Sequence, residues 1–594
     1  MNRFRPLPWV LILAVSIPIF ALADESKPLQ PALPDVELLW GVKIPMRDGV
    51  KLNATLYKPK SIKESLPVIF TLTPYISDSY HDRAMYFSQH GYVYALVDVR
   101  GRGNSEGKFE PFANEARDGD DVVEWLAKQP WSNGKVAMWG GSYAGFDQWA
   151  TLKEFPPHLA TIVPAAAAHA AVDFPFFANV YGTYDIQWLT FTSGVTGNDH
   201  LFGESPFWNA KFWEYYSEHQ PFKDLDKTTG DLATVFQLWL QHPTPDAYWD
   251  AMAPTPDDYR RINIPILTIT GDYDGDQRGA LTYYRRHMQY GNDEAKAKHF
   301  LIIGPWDHAG TRTPKREVGG LIFGGDSMLD LNQLHREWYD WTMKTGAKPQ
   351  FLKKRVAYYL TGAEQWKYAD SFDSISNATR RLYLHSERGE ANDVFHSGKL
   401  SETKPATEAP DKFTYDPLDT RPGALERKDV SNYITDETGA LNLYGDGVIY
   451  HSEPFEKDTE ISGYLKLVVW MSMDVPDTDF AVQVFEIMPN GTSIALTDDL
   501  MRARYRESLR EAKAVKSGEV TRYEFTGFQW FSRRIMKGSR LRVLLGCPNT
   551  IHLEKNYNSG GNVAEESGKD ARTAHITIYH DAERASFLDL PIVQ

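Results

Sequence analysis

Cysteine is almost missing from this 594-residue chain, which contains only Cys547. A single thiol cannot form an intrachain disulfide or a multi-cysteine metal site, so the fold must rest on packing alone. Basic residues are also scarce relative to acidic ones, at 64 against 79, and the formal net charge is −15 at pH 7. An acidic balance of this size argues against nucleic acids and anionic membranes as partners.

Long apolar runs are missing too, except at the start of the chain. There, Arg3 and Arg5 precede an apolar stretch that ends in the small-x-small sequence Ala21-Leu-Ala23. The stretch is shorter than the roughly 20 residues a membrane span needs, and two prolines interrupt it. We therefore predict a signal peptide over residues 1–23 and a secreted or periplasmic protein with no membrane attachment after cleavage.

One serine stands in the setting of a nucleophile elbow. The segment Lys135-Val-Ala-Met-Trp-Gly-Gly-Ser-Tyr-Ala-Gly145 is a short apolar run that breaks into small residues around Ser142 and continues as a helix-compatible stretch. A strict G-x-S-x-G pattern is not met, because Ala144 occupies the second glycine position. Such a turn lifts the serine above the sheet, where an imidazole can reach it, and makes the backbone N–H of Tyr143 an oxyanion donor.

An acid and a histidine follow two later strands. The apolar segment Ile264–Thr270 runs into a carboxylate-rich turn that contains Asp274, and the segment His299–Gly304 is followed by His308. The carboxyl ends of such strands meet at one edge of an α/β sheet, where sites collect. Ser142, Asp274 and His308 follow the chain order of the α/β-hydrolase triad, so we predict these three as the catalytic residues.

Three sequence blocks resemble a family of α/β-hydrolases that includes cocaine esterase, α-amino acid ester hydrolases and Xaa-Pro dipeptidyl-peptidases. The blocks are Gly140-Gly-Ser-Tyr-Ala-Gly145, Asp272-Tyr-Asp-Gly275 and Gly304-Pro-Trp-Asp-His308. The resemblance implies a second oxyanion donor, the hydroxyl of Tyr75 in a Thr-Pro-Tyr block after an early strand. Without the family, Tyr75 would be interpreted as a turn aromatic.

The resemblance also suggests how an acyl group could be selected. In the α-amino ester hydrolases a carboxylate cluster holds the substrate ammonium, and the matching positions here are Asp276 and, on a looser alignment, Asp173. A third position of that cluster is Gln277 in this chain. We therefore expect only a modest preference for a free α-amino group. The alternative is that Asp276 caps the helix that follows it.

The composition of the chain changes along its length and predicts its domains. A region dense in Trp, Tyr and Phe separates the serine from the acid, and many short strand-like segments follow residue 350. The expected fold is an α/β-hydrolase core with an inserted helical cap, followed by an all-β sandwich, which the family resemblance implies is a jelly roll. The predicted boundaries are 1–23 for the signal peptide, 24–173 and 259–349 for the core, 174–258 for the cap and 350–594 for the jelly-roll sandwich.

These observations predict a serine hydrolase that cleaves ester or amide bonds of small acyl substrates without a cofactor. No metal is expected at Asp272-x-Asp274-x-Asp276, because the glycine and the twelfth residue of a calcium loop are out of place. An α-amino acid ester hydrolase or acylase and an Xaa-Pro dipeptidyl-peptidase remain open, as does a non-catalytic binding protein on the same fold. The sequence leaves the oligomeric state open.

Overall fold

The computed structural model describes residues 36–230, 232–427, 431–436 and 438–594. Its first part is built on a sheet of ten strands, whose inner strands are mostly buried and whose two edge strands are more exposed. They are β1 Val36–Pro45, β2 Lys51–Pro59, β3 Leu66–Thr73, β4 Val93–Asp98, β5 Ser132–Ser142, β6 Leu159–Ala167, β7 Ile266–Tyr273, β8 His299–Asp307, β9 Val356–Leu360 and β10 Gln365–Ala369.

The strand order across this sheet is β1-β2-β4-β3-β5-β6-β7-β8-β9-β10. Strands β3 to β9 pair in parallel, whereas β1, β2 and β10 add antiparallel edges. The first two strands form an antiparallel hairpin around Asp48-Gly49. Parallel strands end at a common edge, so the segments after β5, β7 and β8 are brought to the same side of the molecule.

Helices cover both faces of the sheet and fill the cap. They are α1 His81–Gln89, α2 Glu115–Ala127, α3 Tyr143–Lys153, α4 Tyr184–Phe191, α5 Asp199–Phe202, α6 Ser205–Ser217, α7 Leu225–Thr229, α8 Thr234–Trp239, α9 Ala247–Asp250, α10 Pro256–Arg261, α11 Gln277–Tyr290, α12 Asp293–Ala297, α13 Leu331–Met343 and α14 Arg421–Leu425. Helices α2 and α13 each bury an apolar stripe, which includes Val122 and Leu126 in α2 and Leu334 and Trp338 in α13. Short 3-10 turns occur at Ser77–Tyr80, Phe222–Asp224, Gly325–Ser327, Phe372–Ser374, Gly439–Leu441, Ala503–Tyr505, Val563–Glu565 and Gly568–Asp570.

The aromatic region between β6 and β7 is the helical cap. Helices α4 to α10 lie there, and their Trp, Tyr and Phe side chains pack into a separate apolar cluster with the start of α3. Strand structure in this region is confined to the small ribbon of Phe176–Phe177 with Val180–Tyr181 among the described residues. The apolar faces of these short helices are too small to be stable alone, so they depend on packing against each other.

The second part of the chain is all-β. Its strands are Ala378–His385, Gly398–Ser401, Asp411–Tyr415, Gly447–Ser452, Thr459–Gly463, Lys466–Met473, Asp479–Ile487, Ser493–Arg502, Thr521–Phe525, Phe531–Ile535, Arg540–Gly546, Ala574–Tyr579 and Phe587–Ile592. They form one hydrogen-bonded network around an apolar core of alternating inward side chains. The predicted fold class, an α/β-hydrolase core with a helical cap and a C-terminal all-β domain, is confirmed.

The end of the hydrolase sheet differs from the expectation. The predicted boundary places all residues from 350 onward in the β-sandwich, but β9 pairs with β8 and β10 pairs with β9. The two strands thereby extend the hydrolase sheet. An apolar run such as Val356–Leu360 can join either sheet, and its partner strand is chosen by tertiary packing rather than by local pattern.

No helix within the described ranges has both the length and the apolar character that crossing a membrane requires. The predicted signal peptide, residues 1–23, lies outside the described residues.

Candidate active site

Ser142 stands on a sharp turn between strand β5 and helix α3. Its backbone has φ 63° and ψ −129°, a left-handed conformation that non-glycine residues rarely adopt. The turn ends the strand at Ser142 and begins the helix at Tyr143. The serine is therefore held at the carboxyl edge of the sheet, as a nucleophile elbow requires.

Two glycines leave the space for this turn. A Cβ atom on Gly140 would lie 2.6 Å from the Cβ of Ala144, and one on Gly145 would lie 2.8 Å from the Cα of Ala167. Both distances are too short for carbon atoms. Close packing of the helix on the strand ends thus requires glycine at these positions, and Gly145 provides the room although Ala144 breaks the strict motif.

Asp274 and His308 are joined by a direct hydrogen bond. His308 Nδ1 lies 2.8 Å from Asp274 Oδ1, and the acid is fully buried while the imidazole is partly exposed. The other carboxyl oxygen of Asp274 accepts the Thr270 hydroxyl at 2.7 Å. A carboxylate partner places the proton on Nδ1, so Nε2 of His308 is left free to act as a base.

Tyr75 reaches Ser142 from the other side. Its hydroxyl lies 3.2 Å from Ser142 Oγ and accepts a hydrogen bond from Trp188 Nε1, also at 3.2 Å. Its ring stacks on Phe191 with ring centroids 5.5 Å apart. Burial raises the pKa of the Tyr75 hydroxyl, which keeps the group protonated and able to donate. The turn-aromatic interpretation does not account for this contact with the serine.

Tyr143 is fixed by its side chain. Its hydroxyl donates to Glu115 Oε1 at 2.8 Å and accepts the backbone N–H of Phe112. As the first residue of α3, Tyr143 has a backbone N–H with no acceptor inside the helix. The anchored side chain therefore holds this N–H beside Ser142.

The hydrogen bonds of the described residues include none between Ser142 Oγ and the His308 ring. The two residues end β5 and follow β8, at the same edge of the sheet. Catalytic hydrogen bonds are often long or misaligned before substrate binds, so this geometry does not argue against the pair.

Asp276 lies beside the histidine. Its Oδ2 is 3.8 Å from His308 Nδ1, and its side chain is one-fifth exposed. Although Asp276 precedes α11, its side chain makes no capping hydrogen bond, which argues against the helix-cap interpretation. Burial raises the pKa of Asp276 well above its usual range, and the nearby Asp173 and Asp274 carboxylates raise it further.

The Asp173 side chain is held by hydrogen bonds from the backbone. Its carboxyl oxygens accept the backbone N–H groups of His169 and Gly279. Burial raises the pKa of Asp173 to about 7, because it outweighs these hydrogen bonds. The structure thus brings Asp173 and Asp276 close enough to interact, but it leaves the pair less negatively charged at neutral pH than two ordinary carboxylates.

Gln277, at the third position of the cluster, joins the acid loop to the all-β domain by hydrogen bonds. Its amide nitrogen donates to the carbonyls of Gly271 and Trp530, and its amide oxygen accepts the Trp530 N–H at 2.8 Å. Gln529 adds a donor to the carbonyl of Asp274 at 3.3 Å. The all-β domain therefore holds the loop that carries the acid.

Sequence reasoning missed these supporting residues. Trp188 and Phe191 orient Tyr75, whereas Gln277 and Gln529 support the acid loop. The aromatic density of the cap indicated that its side chains line a pocket, but no local pattern links a given cap residue to Tyr75.

Comparison with known proteins agrees with this architecture. Residues 48–310 match the X-Pro dipeptidyl-peptidase family (S15), and residues 349–589 match the X-Pro dipeptidyl-peptidase C-terminal non-catalytic domain. Cocaine esterase from Rhodococcus sp. (strain MB1 Bresler) is 26% identical over 580 residues, which cover 93% of this chain and 98% of that protein.

Two solved structures share the fold. An α-amino acid ester hydrolase superimposes with a TM-score of 0.82 at 22% identity, covering 96% of this chain and 99% of its own. A CocE/NonD family hydrolase from Staphylococcus aureus gives a TM-score of 0.66 at 17% identity and covers 94% of both chains. At these identities the likeness shows the fold alone.

An α/β-hydrolase core of this kind, with these relatives, defines the class: the protein is a serine hydrolase. The two adjoining family matches and the cocaine esterase relationship then make the assignment specific. The chain belongs to the CocE/NonD-type α/β-hydrolase family, and the predicted resemblance is confirmed.

The contact of Tyr75 with Ser142 yields a prediction. Tyr75→Phe should lower kcat by roughly 10²-fold or more with little change in KM, because one oxyanion donor is lost while the ring stays. Steady-state kinetics on a p-nitrophenyl ester measure this. Tyr368→Phe is the matched control, since the Tyr368 hydroxyl forms no hydrogen bond with the described residues and lies on β10. An unchanged kcat in Tyr75→Phe would return Tyr75 to a structural role.

Proposed function

We propose that the protein is an exported serine hydrolase that cleaves ester bonds of small acyl substrates through an acyl-enzyme. The observation that carries the proposal is the pairing of two contacts at one sheet edge. Asp274 holds the His308 ring at 2.8 Å, and the Tyr75 hydroxyl lies 3.2 Å from Ser142 Oγ. Nucleophile, base with its orienting acid, and oxyanion donor are the parts that acyl transfer needs.

The proposed reaction begins when Ser142 Oγ attacks the carbonyl carbon as its proton passes to His308 Nε2. The oxyanion formed is held by the Tyr75 hydroxyl and the Tyr143 N–H, while Asp274 stabilises the imidazolium. His308 then gives the proton to the leaving oxygen, and the carbon–oxygen bond breaks to leave an acyl-enzyme. Water attacks the acyl-enzyme by the same sequence and releases the acid.

Ser142→Ala and His308→Ala should each remove nearly all hydrolysis while leaving the fold intact. Neither side chain fills the apolar core, since both are partly exposed. Hydrolysis of a p-nitrophenyl ester, with circular dichroism to check folding, measures both effects. Turnover within tenfold of the parent enzyme in either variant, after removal of contaminating hydrolases, would contradict the triad assignment.

The acids near His308 favour a second candidate, hydrolysis of esters with a free α-amino group. Asp276 and Asp173 interact with each other and lie by the proposed catalytic residues. Three features weaken an ammonium site: Gln277 replaces the third acid, burial raises the pKa of Asp276, and burial raises the pKa of Asp173 to about 7. We therefore propose only a modest preference for amino esters.

This preference can be measured with phenylglycine methyl ester and its deaminated analogue. The parent should favour the amino ester by less than about tenfold in kcat/KM, and Asp276→Asn should bring the ratio close to one, because a weakly charged pair holds an ammonium weakly. Asp293→Asn, which removes a fully exposed acid on α12, is the control. A large amine preference lost in Asp276→Asn would instead assign an amino ester hydrolase, and no preference in the parent would exclude an ammonium site at Asp276.

Export is proposed from the leader alone. Its charged start, short apolar stretch and Ala21-Leu-Ala23 site are typical of a signal peptide cleaved after Ala23. Expression of the full chain in a Gram-negative host should yield a periplasmic or secreted protein whose first residue is Asp24. N-terminal sequencing of the fractionated protein measures this, and a cytoplasmic protein that keeps the leader would contradict it.

A further inference from the structure

Arg312 lies on the same tight turn as His308. The N–H of Thr311 donates to the carbonyl of Asp307 at 3.2 Å, and the N–H of Arg312 donates to the carbonyl of Ala309 at 3.1 Å. The Thr311 hydroxyl donates to the carbonyl of His308 at 2.8 Å. These bonds set the position of Arg312 relative to the proposed catalytic base.

The Arg312 side chain packs against the residue that precedes the nucleophile. A Cβ atom on Gly141 would lie 2.5 Å from Arg312 Cδ and 2.6 Å from Arg312 Nη1. A residue with a Cβ atom at position 141 would therefore clash with the Arg312 side chain in its present position. This packing places the positive charge of Arg312 against Gly141, the residue that precedes Ser142.

The Arg312 guanidinium makes no hydrogen bond and no ion pair with any residue that the structure describes. Its Nη1 atom is shielded from solvent and lacks a partner. By contrast, the buried Arg502 of the all-β domain is paired with both Asp479 and Glu554. Leaving a shielded donor of a charged group unpaired costs free energy, so a site that keeps one is expected to use it for a ligand.

The groups around Arg312 leave its charge uncompensated. Asp276 is one candidate partner, because Arg312 counteracts the rise in its pKa, but burial and the neighbouring Asp173 and Asp274 raise that pKa well above the usual range. Asp276 is therefore a weak counter-ion. Tyr184 on the cap is 46% exposed, and the Arg312 charge counteracts the rise in the pKa of its hydroxyl. Arg312 thus lies between the nucleophile, the acid loop and the cap, where substrate must bind.

We propose that Arg312 binds a carboxylate of the substrate, so that the enzyme prefers esters with a carboxylate near the scissile bond. A guanidinium is planar and presents paired N–H donors that match the two oxygens of a carboxylate. The inference rests on the proposed esterase function and specifies its substrate class. The carboxylate belongs either to the acyl group or to the leaving group, and these two sources can be told apart.

Two pairs of rigid aromatic esters test the proposal. For the acyl side, 4-nitrophenyl 4-carboxybenzoate is compared with 4-nitrophenyl 4-carbamoylbenzoate; for the leaving group, 4-acetoxybenzoate is compared with 4-acetoxybenzamide. In at least one pair the parent should favour the carboxylate in kcat/KM. Arg312→Gln should lower that ratio by about tenfold or more, because a charge-assisted pair is lost.

Matched variants separate recognition from general electrostatics. Arg312→Lys keeps the charge but lacks the paired N–H donors of the guanidinium. Its carboxylate-to-neutral ratio of kcat/KM should lie between those of the parent and of Arg312→Gln. Lys315→Gln removes an exposed charge from the same loop and should keep the parent ratio. A parent that favours the neutral ester of both pairs, or an unchanged ratio in Arg312→Gln, would overturn the proposal.

Failure of the esterase proposal would look different. If folded parent hydrolyses none of the four esters, the proposed function fails, and calorimetric binding of terephthalate to the parent and to Arg312→Gln then tests Arg312 directly. Binding that is weakened about tenfold or more in the variant supports a carboxylate site. Equal binding, or none to the parent, overturns it.

Discussion

The turn at Ser142 is the constraint on which the rest of the site depends. A serine with φ 63° is held in a conformation that costs free energy, and it persists because the strand before it and the helix after it are both buried. Gly140 and Gly145 let that helix approach the strand ends, and Gly141, between Gly140 and Ser142, leaves room for Arg312. This turn positions Ser142 and the Tyr143 N–H, and the Arg312 side chain packs against it.

The other parts of the site are held by elements outside the hydrolase sheet. The cap fixes Tyr75, since Trp188 donates to the Tyr75 hydroxyl and Phe191 stacks on its ring. The all-β domain fixes the acid loop through the Gln277 bonds to Trp530 and the Gln529 bond to Asp274. The core sheet brings the strand ends together. The cap and the all-β domain then orient the side chains in the segments that follow these strands.

Burial decides the charge balance of the site. It raises the pKa values of Asp276 and Asp173, so acids that would otherwise form a strongly negative cluster are partly protonated near neutral pH. Asp274, the third acid of this region, accepts hydrogen bonds from Thr270, from His308 and from the Asp276 backbone. These bonds fix the orientation of the Asp274 carboxyl group beside His308.

The sequence by itself determined the fold class and the candidate triad, because both depend on local patterns. Apolar runs, the small residues around Ser142, and an acid and a histidine after successive strands are all short-range signals, and their order along the chain identifies the hydrolase. Tertiary structure decided what depends on distant segments. It placed Val356–Leu360 in the hydrolase sheet, gave Gln277 a role in joining the domains, and laid Arg312 on Gly141, since such contacts follow from packing that no local pattern encodes.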